Sequence, residues 1–180
     1  MKKTLHYLVL IAALTSMAAF LGACSSEEEE VTGDASVTFT SDEPVPQANS
    51  VYLELSDSSS RDFEIKVMVD GINNAYGIGF NLDFDPAMFA FESGTEGDFL
   101  NTGAGTNFFA SSRNPGSVVV SVSRVGTTGG VTGNGLICTL TFRVLGEGTC
   151  NLRFTKTTAQ TPDGDAIGIR WISGTVTIVN

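Results

Sequence analysis

With 180 residues, 42% of them hydrophobic and only 17% charged, the chain has the make-up of a folded protein with room for one ordinary domain and an extension. Its formal charge is −10 with no cluster of Lys and Arg, which argues against nucleic-acid phosphates and anionic lipid as partners. The single histidine, His6, sits in the N-terminal leader, so the rest of the chain lacks Ser-His-Asp or Cys-His nucleophile activation and the usual His-containing zinc sites.

Lys2 and Lys3 precede an apolar stretch from Leu8 to Ala19. That stretch is short of the about 20 apolar residues a membrane span needs, and it reads as a secretory signal over residues 1–23. Leu21-Gly22-Ala23-Cys24 resembles the bacterial lipobox, in which the cysteine is acylated and becomes the new first residue. The expectation is an exported protein, lipid-anchored through Cys24 to the bacterial cell envelope and facing the periplasm or the exterior. Losing Lys2 and Lys3 would take the charge from −10 to −12. Residues 24–49 read as an acidic tether. Seven acidic residues lie between Glu27 and Glu43 with no base among them, Pro44 and Pro46 follow, and a short strand is expected at Val37–Thr40. The domain proper is expected over 50–180, where the charge is only −5.

From there the pattern is all β. Val51, Leu53 and Leu55 alternate with polar neighbours, as do Phe63, Ile65, Val67 and Val69. Ile78, Phe80, Leu82 and Phe84 form one face of the next strand, with Gly77, Gly79, Asn81 and Asp83 on the other. Pro86 to Phe89 allows a single helical turn at most. Further strands are predicted at Phe108–Ser111, Val118–Val125, Leu136–Leu145, Cys150–Thr155 and Thr175–Val179. One wet and one buried face per strand, with Gly-rich turns between, predicts antiparallel sheets packed face to face.

Phe84-Asp85-Pro86 at the end of an alternating strand resembles the aromatic-Asp-Pro signature of cohesin modules. Gly97-Asp98-Phe99-Leu100, a dozen residues on, is similar to that family's Gly-Asp-apolar step. Gly133-Asn134-Gly135-Leu136 leading into Thr139 to Val144 resembles its most recognisable strand, and Gly174 to Ile178 its closing strand. The resemblance implies a nine-stranded antiparallel β-sandwich of jelly-roll topology, with carbohydrate-binding modules as structural cousins. It also implies a protein partner: cohesins bind dockerins, calcium-loaded helical modules, across one flat sheet face, and so assemble polysaccharide-degrading complexes. The strand Tyr76–Phe84 should contribute to that face. Dockerin-binding cohesins commonly carry polar residues at the positions of Gly77 and Gly79, so Asn81 and Asp83 are the polar groups that remain for partner binding.

Other chemistry is sparse, and no enzyme activity or cofactor is expected. Asp83, Asp85, Glu92, Glu96 and Asp98 are the carboxylates from which a glycoside-cleaving pair would be drawn, and no two are marked out as a pair. The glycine-rich stretches at 103–105 and 126–135 lack the Lys-Ser/Thr and the following helix of a phosphate loop. Asp163 and Asp165 in Pro162-Asp163-Gly164-Asp165 are a weak calcium candidate, since two carboxylates are few for a cation that takes six or more oxygens, and a β-turn is the better reading of the segment. Tyr52 and Trp171, from strand parity, are the aromatic side chains available for stacking on a sugar ring; a strand-edge packing role is the alternative for Trp171. Three functional readings follow: protein recognition, direct polysaccharide binding, and a structural envelope lipoprotein. Cys138 and Cys150 share inward parity. If their strands meet at a turn near Glu147, the two lie about 20 Å apart at ~3.3 Å per residue, too far for a disulfide.

Overall fold

The computed structural model describes residues 36–59 and 61–179; the signal segment 1–23, the lipidation site Cys24 and the glutamate run of the tether lie outside the described residues. Within them are eleven strands and no helix: β1 (Ser36–Ser41), β2 (Ser50–Ser58), β3 (Asp62–Ala75), β4 (Gly77–Asp83), β5 (Phe89–Glu96), β6 (Thr106–Asn114), β7 (Ser117–Arg124), β8 (Val131–Val144), β9 (Gly148–Gln160), β10 (Arg170–Ile172) and β11 (Gly174–Val179). They form a six-stranded sheet in the order β1-β11-β9-β4-β7-β6 and a five-stranded sheet in the order β10-β2-β3-β8-β5. Every strand pair is antiparallel except β10 with β2. This is the expected antiparallel sandwich, with eleven strands rather than nine.

Alternation does what the sequence pattern requires. Val51 and Leu53 of β2, Phe63 to Val69 of β3, Ile78, Phe80 and Leu82 of β4, and Val118, Val120 and Val122 of β7 all enter one core. At one end Phe63, Phe84, Phe89 and Phe142 meet with ring centroids 5.1 to 5.4 Å apart. Such aromatic pairs add about 0.5–1.5 kcal/mol each beyond simple burial. The Asp-Pro turn aims two of these rings. Asp85 Oδ1 accepts the Ala87 N–H at 2.9 Å and the Asp85 carbonyl accepts the Met88 N–H at 3.1 Å, which closes one turn and delivers Phe89 back to the core opposite Phe84. Gly97 crosses β8 so closely that a Cβ there would lie 2.1 Å from the Leu136 carbonyl oxygen, so only glycine fits at that step.

The structure revises several expectations. The sandwich already includes Ser36–Ser41, ahead of the expected boundary at Ser50: β1 pairs with β11 from Ser36↔Val179 to Ser41↔Gly174, and Val37 is in the core. Only the segment after Ser41, with Pro44 and Pro46, acts as a connection, carrying the chain from one sheet to the other. The strand β5 was not anticipated because a register shift between Phe91 and Ser93 breaks its alternation. Cys138 and Cys150 are buried free thiols, but the hairpin used to separate them does not exist. Cys138 lies on β8, opposite Val67 and Glu96, while Cys150 lies on β9, opposite Val176, in the other sheet.

Candidate functional site

Strand β4 runs through the six-stranded sheet between β7 and β9. Its inward side chains anchor it in the core, and this holds Gly77, Gly79, Asn81 and Asp83 on the outer face in fixed register. Asn81 stands opposite Val119 of β7 and Thr155 of β9; Asp83 stands opposite Ser117 and Arg153. Both predicted partner-binding residues are half-buried and are joined through one hydroxyl. Ser117 Oγ donates to Asp83 Oδ1 at 2.5 Å and accepts from Asn81 Nδ2 at 3.4 Å. Thr155 Oγ1 donates to Asp83 Oδ2 at 2.8 Å. A carboxylate held by two hydroxyls on neighbouring strands is positioned before any partner arrives, and this lowers the ordering cost of using it in recognition.

The face has relief on both sides of β4. Between Gly79↔Thr158 and Asn81↔Thr155 the β9 strand carries an extra residue, and Lys156 there has φ 47°. A lysine in the left-handed region costs about 1 kcal/mol or more, so the surrounding pairing holds the bulge in place. The bulge turns Thr158 over β4, where its Cγ2 lies 3.1 Å from the place a Gly79 Cβ would occupy. Gly79 therefore serves the packing of the bulge. On the other side, Phe109 of β6 stands opposite Ser121 of β7, its ring 43% exposed. The sequence reading missed Phe109, yet the signal was there: Phe108 and Ala110 pack on the core, and period two puts Phe109 outside.

The other predicted residues are dispersed. Tyr52 is only 6% exposed, so it is no free platform; burial, with Glu54 and Asp70 nearby, pushes its hydroxyl pKa up. Trp171 turns inward and packs against Phe154 at 5.3 Å and Phe80 at 5.8 Å. Its parity cannot be carried from Val176 because the chain changes sheets at Ser173, between β10 and β11. Neither ring is offered to a sugar, which corrects the stacking expectation. Asp163 and Asp165 are exposed on a turn closed by the Gly164 N–H on the Thr161 carbonyl at 3.0 Å and the Asp165 N–H on Thr161 Oγ1 at 3.2 Å. Among the described residues no three Asp, Glu, His or Cys side chains gather as a metal set. The carboxylates weighed for catalysis have separate local roles: Glu92 pairs with Arg143 at 3.1 Å, Glu96 accepts from Thr106, and Asp85 closes its own turn. Burial pushes up the pKa of both thiols; for Cys150 the Asp85 N–H, donated to Sγ at 3.1 Å, offsets part of the rise.

A family model described as the cohesin domain matches residues 56–178. The chain belongs to the cohesin family. Solved cohesins share its fold at low identity. A type II cohesin from the cellulosome of Acetivibrio cellulolyticus aligns over 74% of this chain and 96% of its own, with 18% identity and a TM-score of 0.61. The sixth cohesin of scaffoldin B from Acetivibrio cellulolyticus, solved in complex with a dockerin, aligns over 72% and 97%, at 15% identity and a TM-score of 0.59. A non-cellulosomal cohesin from the archaeon Archaeoglobus fulgidus aligns over 72% and 89%, at 17% and 0.56. A search of curated proteins returns no match.

Proposed function

We propose that this cohesin is a non-catalytic recognition module, lipid-anchored at Cys24 outside the cytoplasm, that receives a dockerin-type protein on the outer face of its six-stranded sheet. The observation that carries the reading is the prepositioned Asn81–Ser117–Asp83–Thr155 network on β4, between β7 and β9 of the six-stranded sheet. Recognition faces of this kind bury about 800 Å² per partner and draw their energy from a few central residues. The solved cohesin in complex with a dockerin supports the partner class. The inward packing of Trp171 and the burial of Tyr52 favour a protein partner over a sugar.

The binding test is calorimetric titration of the full chain with purified dockerin modules loaded with calcium. The wild type binds at least one of them, and Asp83→Lys weakens that complex by tenfold or more. Undiminished affinity in the variant would move the contact to another face, and binding to polysaccharide alone would move the protein to the carbohydrate-binding class. Anchoring is tested separately: labelled palmitate enters the wild type and not Cys24→Ala, and equal labelling removes the lipoprotein reading.

A further inference from the structure

The recognition face carries the opposite charge balance to the rest of the chain. On the outward positions of β4, β6, β7 and β9, Asp83 is the one carboxylate that the register places there, and both its oxygens are already taken by Ser117 and Thr155. Arg153, opposite Asp83, is exposed, and so is Lys156 on the bulge. Among the described residues neither is in an ion pair. Hydrogen bonds from two neutral hydroxyls leave Asp83 its charge, so Asp83, Arg153 and Lys156 together give this face a formal +1 in a chain whose formal charge is −10. On β6 stands the exposed ring of Phe109. Lys156 sits on the bulge beside the row Thr158–Gly79–Ser121–Phe109, which crosses three strand spacings, about 14 Å at 4.7–4.9 Å each, and Arg153 lies opposite Asp83, about 13 Å further along β4 at ~3.3 Å per residue. An α-helix with its side chains is about 10–12 Å across, so one laid obliquely over β4 and β7 spans the distance from Phe109 to the two cations.

We propose that the partner received here presents an acidic helix, with an apolar side chain packed on Phe109 and carboxylates facing Arg153 and Lys156. This rests on the recognition reading above and adds the partner's charge and orientation to it. Electrostatic complementarity of this kind sets which partner is accepted and how fast it arrives, while a buried aromatic anchor sets how long it stays. The three side chains are exposed, so their replacement leaves the fold intact, which a thermal melt checks.

The experiment titrates the full chain with two sets of calcium-loaded dockerin modules, one with acidic and one with basic contact helices. The wild type binds acidic modules, and more weakly as salt rises from about 0.1 M to about 1 M, where the screening length falls from about 10 Å to about 3 Å. Arg153→Glu with Lys156→Glu weakens acidic modules by tenfold or more and gains affinity for basic ones. Phe109→Ala weakens acidic modules by tenfold or more with the salt dependence unchanged. Preference of the wild type for basic modules, or indifference to the charge reversal or to Phe109→Ala, overturns the proposal while Asp83→Lys still reports recognition at this face. If no module of either set binds the wild type, the recognition reading itself falls, and the proposal with it.

Discussion

The two sheets are alike in their inner faces and differ in their outer ones. The outer face of the five-stranded sheet is dense in charge: Glu54 lies opposite Lys66, Glu64 and Asp70 flank it along β3, and Arg143 holds Glu92. The outer face of the six-stranded sheet carries Gly77, Gly79, Ser117, Ser121 and Ser123 around Asn81 and Asp83, with Phe109 to one side. The first is a solvated surface on which Arg143 pairs with Glu92 and Lys66 stands opposite Glu54; such cross-strand pairs contribute only about 0.2–1 kcal/mol. The second leaves backbone close to the surface and little bulk above it, as a surface does when another molecule is meant to complete it. The proposed recognition face is thus marked as much by what its side chains omit as by what they offer.

That contrast is most directly broken at β4, where adjacent residues serve opposite sides. Phe80, in edge contact with Phe154 at 5.1 Å, is core, and Phe80→Ala should cost about 3–5 kcal/mol in chemical denaturation. Trp171→Ala should follow at about 2–4 kcal/mol, since the ring is partly exposed, with no change in affinity for soluble glycans; a lost sugar affinity would restore the platform reading. Asp83→Lys strands two hydroxyl donors and should cost about 1–2 kcal/mol, a modest loss beside its effect on partner binding. Asn81→Ala, with one long hydrogen bond, should cost less than about 1 kcal/mol. Equal losses at Phe80 and Asn81 would mean the register is wrong.

Stability should also depend on pH. Burial raises the Cys138 thiol far above its usual value of about 8.5. Below that pH both states keep the proton and the thiol adds no slope. Above it the unfolded chain ionises first and binds fewer protons, so stability falls as pH rises, by up to about 1.4 kcal/mol per unit for one thiol. Denaturation at about pH 7.5 and about pH 9.5 should show the fall, and Cys138→Val should remove the Cys138 share while leaving that of Cys150, whose thiol burial also raises.

Much of this molecule was legible in its sequence, and the boundary is a physical one. Period two is local: each residue's face follows from its neighbours' pleat, so the inward set of β2, β3, β4 and β7, the outward placement of Asn81 and Asp83, and the burial of Cys138 and Cys150 could be read directly. Which sheet a strand joins is set by pairing between residues far apart in the chain, and no local pattern encodes it. So β8 and β9, joined by a short connection, look like a hairpin and enter opposite sheets. The phase of β11 does not carry back to Trp171 because the chain crosses between sheets at Ser173, and the short strand expected within the tether at Val37–Thr40 is β1, Ser36–Ser41, whose partners in β11 lie 133 to 143 residues away. The face that Asn81 and Asp83 share with Ser117, Thr155, Arg153 and Phe109 draws on four strands at once, and only their registered pairing, satisfying the backbone of every neighbour, brings those side chains onto one surface.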